Sequence, residues 1–306
     1  MPSDAVSAGN DAAGLIARCQ AILSHGSASF SRAARLLERT TREGCVLLYA
    51  WGRHCDDVID GQTLGQGQQR VDAELLAARL ARLRAETERA LTGEATELPF
   101  QALALLVRRH RIPPDLPRAL LDGMAMDVAG RRYQTLDELT DYCHCVAGVV
   151  AIMTGRIMGL ERTVLLDRMG RLGQAVQLTN IARDLVDDAG AGRIYVPLGW
   201  LQAAGIPDTG LGWTSRRAAL AGVARRLLDE ADSRYAEADP VIAQLPARSA
   251  AAVAVGRALY SAIGTEIRRR GPRAWDSRVT VPNLRRSVLT MTCLIRTIGR
   301  RLRPTG

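Results

Sequence analysis

The 306-residue sequence predicts an all-α fold, and three observations favour that class. Apolar residues recur at spacings of three and four along most of the chain, which is the period of an amphipathic helix. Alternating apolar and polar residues, the pattern of a half-buried strand, are nearly absent. Aromatic residues make up only 4%, whereas the hydrophobic fraction of 47% is typical of a globular chain. We therefore expect a single helical domain over residues 12–306, preceded by a loose, flexible tail of residues 1–11.

The periodic segments are separated by breaks that glycine and proline mark. Breaks are expected at residues 61–67, at Pro113-Pro114 and at residues 197–213, because both residue types disfavour a continuing helix. No apolar run reaches the roughly 18 to 20 residues that a membrane-spanning helix requires. The predicted helices cover residues 12–24, 29–39, 42–60, 71–92, 98–110, 115–130, 136–158, 163–188, 214–237, 241–269 and 283–302.

The net charge of +9 has an unusual origin, because all 41 basic residues are arginine and lysine is absent. The absence of lysine excludes Schiff-base catalysis and a P-loop phosphate site. A phosphate-binding site in this chain must use the arginine guanidinium, whose fork suits bidentate contacts with phosphate oxygens. A GC-rich genome also explains the total arginine count, so only arginines at particular positions indicate function.

The cysteines and histidines do not indicate a zinc site or a nucleophilic triad. The six cysteines lie in apolar or helical segments without a C-x-x-C pair, so we expect reduced, buried thiols. The run Cys143-His144-Cys145 contains metal-ligand residue types, but neighbouring side chains on a helix point about 100° apart and do not converge. None of the four histidines pairs with a serine or cysteine at a spacing typical of a triad.

Predicted helix 42–60 carries a stripe of polar side chains on an otherwise apolar surface. Its members stand at spacings of 0, 4, 7 and 11 and therefore share one helix face; they are Tyr49, Arg53, Asp56 and Asp60. The other faces are mostly apolar, so this is not a simple surface helix. We therefore expect the carboxylates to face a cavity.

Predicted helix 163–188 repeats this arrangement at spacings of 0, 3, 7 and 11, with Gln177, Asn180, Asp184 and Asp188. One stripe alone has a structural explanation, since acidic residues at i and i+4 can pair with arginines or cluster near a helix end. Two stripes on two apolar helices favour function, because buried like charges repel each other unless a cation neutralises them.

Oxygen-only donors favour a hard divalent cation over zinc. Magnesium, with manganese as the alternative, binds one or two carboxylates and takes substrate phosphate oxygens as further ligands. A diphosphate substrate is therefore implied, and Arg53 and Arg183 stand within one turn of the acids, where they can hold diphosphate oxygens. Metal and arginine together would stabilise a departing diphosphate and leave an allylic cation.

The sequence around these stripes resembles the squalene/phytoene synthase family. The matching segments are Tyr49 through Asp60, Leu172 through Asp188 followed by Arg193-x-Tyr195-x-Pro197, Tyr142 through Val150, and Ser27 through Phe30. One departure is Ala151, where the family pattern has glycine. The similarity runs from about residue 20 to residue 285. It implies the isoprenoid-synthase helical bundle, with the two acidic helices facing each other across a central apolar channel.

The resemblance also implies roles for the matching residues. It implies metal binding by Asp56, Asp60, Asn180, Asp184 and Asp188, with Asp57 and Asp187 as supporting acids. It implies substrate binding by Ser27, Phe30, Tyr49, Arg53, Ala147, Gln177, Asn180, Arg183, Tyr260 and Arg278. Asp127 and Tyr142 correspond to positions near the central cavity that assist ionisation or guide the cation, although Tyr142 taken alone is better explained as a core tyrosine.

The amino-acid sequences of both acidic motifs resemble those of the carotenoid-pathway members of this family, and this resemblance implies the reaction. We expect two geranylgeranyl diphosphates to condense head to head, through prephytoene diphosphate, to phytoene. The same chemistry on farnesyl diphosphate, giving dehydrosqualene, presqualene diphosphate or squalene, stays open, because cavity depth sets the chain length. No G-x-G-x-x-G motif follows a strand, so no NADPH requirement is expected.

An alternative of another class is an arginine-rich helical module that binds RNA or anionic membrane without catalysis. The arginine runs lack interleaved aromatics and any nucleic-acid motif, so we expect no nucleic-acid partner. Predicted helix 283–302 is amphipathic and rich in arginine, and it either packs as core or rests on an anionic bilayer. We expect a cytoplasmic protein in loose, salt-reversible contact with the inner membrane face, and the sequence does not indicate its oligomeric state.

Overall fold

The computed structural model describes residues 3–26, 34, 36–61 and 72–301. Every regular element in these ranges is a helix, so the predicted all-α class is confirmed for this part of the chain. Over the same ranges, no helix is both long and apolar enough to cross a membrane.

The α-helices are α1 (Ser3–Gly26), α2 (Arg39–Asp60), α3 (Ala73–Thr92), α4 (Leu98–His110), α5 (Asp115–Val128), α6 (Leu136–Cys143), α7 (Val149–Ile157), α8 (Thr163–Gly190), α9 (Leu198–Ala203), α10 (Arg217–Ile242), α11 (Ala247–Arg270) and α12 (Asn283–Arg301). A π-helix, His144–Gly148, lies between α6 and α7. Two short 3-10 turns cover Trp213–Ser215 and Gly271–Arg273.

Most helix bounds agree with the predicted ones to within a few residues. Predicted helix 29–39 lies mostly outside the described residues, and residues 36–38 are not helical. Three further departures stand out. α1 begins at Ser3, so residues 3–11 are helical where the sequence predicts a loose tail; their place outside the folded domain stays a prediction. α10 continues through Pro240 to Ile242 instead of ending at residue 237. Because Pro240 stands in the last turn, its missing N–H removes one hydrogen bond without stopping the helix. α9 forms inside the predicted break at 197–213 and begins directly after Pro197.

The first compact unit consists of the described residues up to Val128 together with residues 153–160. Within it, α2 packs against α1 and α4 and buries Leu47, Trp51 and Cys55. α2 ends at Asp60 because Gly61 adopts a left-handed backbone conformation, with φ of 63°, which glycine reaches without steric cost. This end determines where the acidic stripe of α2 stops.

The second compact unit consists of residues 129–152 and the described residues from Glu161 onward. α8 is its central helix and packs against α10, α11 and the π-helix. Its buried residues include Leu178, Ile181 and Leu185, whereas Asn180 and Asp184 are only half-buried. α8 is therefore a core helix that keeps a partly accessible polar stripe. The single domain and the central apolar channel that the sequence predicts are not tested by these two units and stay predictions.

The π-helix interrupts the predicted helix 136–158. Its wider turn is closed by the Val149 N–H, which donates to the His144 carbonyl five residues earlier. α8 approaches this turn closely at Gly173, where an added Cβ would stand 2.8 Å from the Gly148 Cα and closer still to the Ala147 carbonyl group. The two backbones therefore touch, and only glycine at position 173 allows this contact.

We expect Gly173→Ala to destabilise the chain by about 1–3 kcal/mol, because the new methyl group collides with backbone atoms that cannot rotate away. Urea unfolding followed by circular dichroism measures this change in the free energy of unfolding.

Gly222→Ala is the matched control for this substitution. Gly222 also lies inside a helix, is exposed, and has no atom within 4 Å of an added Cβ. Alanine there should stabilise by about 0.5–1 kcal/mol through helix propensity and a reduced entropy of the unfolded chain. Equal effects of the two substitutions would contradict the close contact between α8 and the π-helix.

Candidate functional site

The last two turns of α2 carry the first acidic group, which we define as Asp56, Asp57 and Asp60 together with Asp127 of α5. The guanidinium of Arg53 lies 3.9 Å from a carboxylate oxygen of Asp56 and 3.9 Å from one of Asp57. These distances exceed those of close ion pairs, so Arg53 neutralises the two acids incompletely.

The surroundings of the first acidic group favour the protonated form of Asp56. Desolvation raises the pKa of Asp56 to about 7, although its side chain is 48% exposed. Arg53 opposes this rise in pKa, while the charges of Asp60, Asp57 and Asp127 add to it. The half-exposed carboxylate is reachable from solvent, and a further cation beside it would relieve the repulsion among the acids.

Arg53 is held by the helix turn that precedes it. Its guanidinium lies 5.8 Å from the ring centroid of Tyr49. Burial lowers the pKa of Arg53, but the charge of Asp56 and a hydrogen bond with the Tyr49 side chain outweigh it, so the net pKa is raised. The Arg53 Nε atom is buried and has no hydrogen-bond partner in the described part of the chain. The side chain is therefore positioned but retains a donor for an incoming anion.

The second acidic group lies on α8; we define it as Asp184 and Asp188 together with the amide of Asn180 on the same stripe. Asp184 is held by its neighbour Arg183 in a bidentate pair, with Nε 2.9 Å from Oδ1 and a terminal nitrogen 2.6 Å from Oδ2. Both side chains are largely buried, at 13% exposure for Arg183 and 18% for Asp184. Burial lowers the pKa of Arg183, but the hydrogen bond and charge of Asp184 outweigh it, so the net pKa is raised. Asp187, in contrast, is exposed.

Arg278 reaches the same carboxylate from the segment that precedes α12. Its guanidinium lies 3.5 Å from Asp184 Oδ2, while its side chain is 64% exposed. Tyr260 of α11 is near enough for its charge to raise the pKa of Arg183. The structure thus brings Arg183, Asp184, Tyr260 and Arg278 together within the second compact unit.

The residues of both groups fit a magnesium ion, although no three His, Cys, Asp or Glu side chains form a ready metal cage among residues 3–26, 34, 36–61 and 72–301. Magnesium uses one or two protein carboxylates and completes its shell with water and phosphate oxygens. The Oδ1 atom of Asn180 is buried and accepts no hydrogen bond from the described residues, while its amide nitrogen donates to Gln177 at 3.4 Å. An amide oxygen in this state suits a hard cation.

Tyr142 belongs to a stack of three tyrosines. Its ring lies 5.0 Å from that of Tyr195 and 5.5 Å from that of Tyr133, centroid to centroid, and all three are buried. The tract Arg193-x-Tyr195-x-Pro197 is thereby fixed against α6, and the Leu198 N–H donates to the Tyr133 carbonyl at 2.9 Å. Ala147 lies in the π-helix, where its carbonyl contacts α8 at Gly173.

Two predicted substrate-binding residues, Ser27 and Phe30, lie outside the described residues. Sequence reasoning also missed three buried residues that support the site, because none of them belongs to a polar stripe. Tyr133 follows a turn and reveals its role only through the stack. Thr179 and Tyr235 share a buried hydrogen bond of 3.1 Å directly behind Asn180, which supports the acidic face of α8 from within the core.

The chain is similar to known proteins in sequence and in fold. The family model for squalene/phytoene synthase matches residues 23–285. A phytoene synthase from Pseudescherichia vulneris is 44% identical over 257 residues, which cover 84% of this chain and 83% of the relative. A 15-cis-phytoene synthase from Pantoea ananas is 43% identical over 254 residues, which cover 83% of this chain and 82% of the relative.

A solved structure, a dehydrosqualene synthase in complex with a ligand, superposes with a TM-score of 0.82 at 21% identity. The superposition covers 95% of this chain and 99% of that one, and it supports the isoprenoid-synthase type of helical fold. Since the family model and the relatives match most of the chain, including both acidic helices, the chain belongs to the squalene/phytoene synthase family.

Proposed function

We propose that this chain condenses two molecules of geranylgeranyl diphosphate head to head, through prephytoene diphosphate, to phytoene, with release of diphosphate. The observation that carries the proposal is the pair of acidic groups on helices that each pack one side into the core, each group beside an arginine that can hold an anion. The relatives described above, a phytoene synthase and a 15-cis-phytoene synthase, support the same reaction.

We propose that magnesium, with manganese as a substitute, is the resident metal. Asp56 and Asp60 would hold it in the first acidic group, and Asn180, Asp184 and Asp188 would hold it in the second. When bound, the metal supplies positive charge to the diphosphate oxygens and so makes diphosphate a better leaving group.

The arginines and tyrosines of the chain have distinct tasks in this proposal. Arg53 donates from its free Nε to one diphosphate, and Arg183 and Arg278 exchange part of their contact with Asp184 for the other diphosphate. Tyr142, held rigid by its stacked neighbours, presents an aromatic ring that stabilises a carbocation. Ser27, Phe30, Tyr49, Ala147, Gln177, Asp127 and Tyr260 complete the proposed substrate-binding and cavity residues.

The reaction balances without a reductant. One allylic C–O bond breaks, and the cation alkylates the second molecule with loss of a proton, giving a cyclopropyl diphosphate. The C–O bond of this intermediate then breaks, and its cation rearranges. The final cation ends by losing a second proton, whereas capture of hydride would require a nicotinamide cofactor. We therefore propose that NADPH takes no part.

We also propose that the protein acts in the cytoplasm and touches the inner membrane face peripherally, since both substrate and product carry long hydrocarbon chains. The described residues include no membrane-spanning helix, so any such contact would use the protein surface.

The purified chain given geranylgeranyl diphosphate and magnesium should release phytoene, which chromatography of a solvent extract identifies. Addition of NADPH should change neither rate nor product, and a chelator should stop turnover. Farnesyl diphosphate consumed far faster than its longer homologue, or a product that forms only with NADPH, would overturn the proposed reaction.

Asp56→Ala and Asp184→Ala should each lower kcat by about 100-fold or more, because one carboxylate fewer leaves metal and diphosphate undercoordinated. Both variants should keep the helical circular dichroism of the parent chain, since the two side chains are not packing elements.

Two surface aspartates provide matched controls for these variants. Asp122 pairs with Arg84 at 2.7 Å and is 59% exposed, and Asp229 pairs with Arg268 at 2.8 Å and is 65% exposed. Asp122→Ala and Asp229→Ala should keep kcat within about twofold, because exposed ion pairs contribute little. Near-parental turnover by Asp56→Ala would show that the metal assignment is wrong.

A further inference from the structure

Helix α12 presents an apolar stripe to solvent. Its members stand at spacings of 0, 4, 7 and 11 and therefore share one narrow helix face; they are Leu284 at 79% exposure, Val288 at 56%, Met291 at 57% and Ile295 at 64%. Single exposed apolar residues are common on protein surfaces. Four aligned along one helix form a continuous apolar strip whose exposure to water is unfavourable.

The stripe is distinct from the face that packs on the protein. α12 lies against α11, where the Cys293 thiol contacts the Ala254 carbonyl at 3.6 Å. Arg286, on the packed side, donates to the Val281 carbonyl at 3.2 Å. The sequence pattern alone indicates one amphipathic helix and does not distinguish the two faces. The structure separates them, so core packing does not account for the exposed stripe.

The positive charge of α12 indicates which kind of partner the stripe binds. The helix contains five arginines and no acidic residue; the arginines are Arg285, Arg286, Arg296, Arg300 and Arg301. Arg285 stands next to Leu284 at the start of the stripe and is itself exposed. A second copy docked here would bring together two helices that each carry five arginines and no acidic residue, which disfavours self-association through this face. An anionic lipid surface offers both a hydrocarbon layer and opposite charge.

We propose that the stripe Leu284, Val288, Met291 and Ile295 is the surface through which this chain docks on an anionic membrane. The apolar side chains enter the boundary between headgroups and acyl chains, and the exposed Arg285 beside the stripe contacts lipid phosphates. This assignment rests on the peripheral contact proposed above but not on the proposed reaction.

Vesicle flotation of the full chain tests the assignment. The vesicles are phosphatidylcholine alone, or phosphatidylcholine with about a quarter phosphatidylglycerol. The parent chain should bind the anionic vesicles at least about 10-fold more strongly, and salt at about 0.5 M should release it. The variant Leu284→Ser/Val288→Ser/Met291→Ser/Ile295→Ser should bind the anionic vesicles about 10-fold or more weakly, because four apolar side chains no longer enter the lipid.

The matched control is Leu75→Ser/Val164→Ser/Leu211→Ser, which removes large apolar side chains that are 45%, 58% and 76% exposed elsewhere on the surface. It should bind within about twofold of the parent chain. Unchanged thermal midpoints establish that both variants fold.

Three results would overturn the assignment. Parent-like binding by the stripe variant would show that another surface docks. Failure of the parent chain to bind anionic vesicles would remove the peripheral contact as well. A concentration-dependent dimer that the stripe substitutions abolish, with vesicle binding unchanged, would assign the stripe to a second copy. Phytoene formation in detergent, measured in parallel, tests the proposed reaction separately.

Discussion

Repulsion among carboxylates on core helices is the constraint on which the rest of this structure depends. α2 and α8 each pack one side against neighbouring helices, and each still carries acidic side chains along a polar stripe. Like charges at i and i+4 destabilise a helix, and partial burial strengthens their repulsion. In the second group, Arg183 supplies part of the opposing charge. In the proposed function, bound magnesium ions supply the rest.

The two acidic groups meet this constraint differently. In the second group, arginines from two segments close on Asp184, so its charge is balanced within the protein. In the first group, Arg53 stays 3.9 Å from both of its partners, and the pKa of Asp56 rises to about 7. A cation bound beside Asp56 would lower this pKa. In the proposed function, Arg183 and Arg278 of the second group exchange part of their contact with the Asp184 carboxylate for contact with phosphate.

Much of this arrangement could be predicted from the sequence because it depends on local periodicity. The spacing of apolar residues located most helices, and the spacing of Asp56, Asp60, Asp184 and Asp188 marked the polar faces. Features that depend on contacts between distant segments could not be predicted in this way. No residue pattern indicates the π-helix at 144–148, and the packing of Tyr133 against Tyr142 and Tyr195 depends on contacts between distant segments. The two faces of α12 separate only when α11 is seen to cover one of them.

The central claim is that the acidic groups bind cations, which in turn hold diphosphate, and thermal unfolding tests it without turnover. A ligand that binds only the folded chain raises Tm, so magnesium with inorganic diphosphate should raise it by about 3 °C or more. Either component alone should raise it less, and Asp56→Ala and Asp184→Ala should each lose most of the combined rise. A parent chain whose Tm does not respond to magnesium and diphosphate together, or variants that respond as the parent does, would contradict the account.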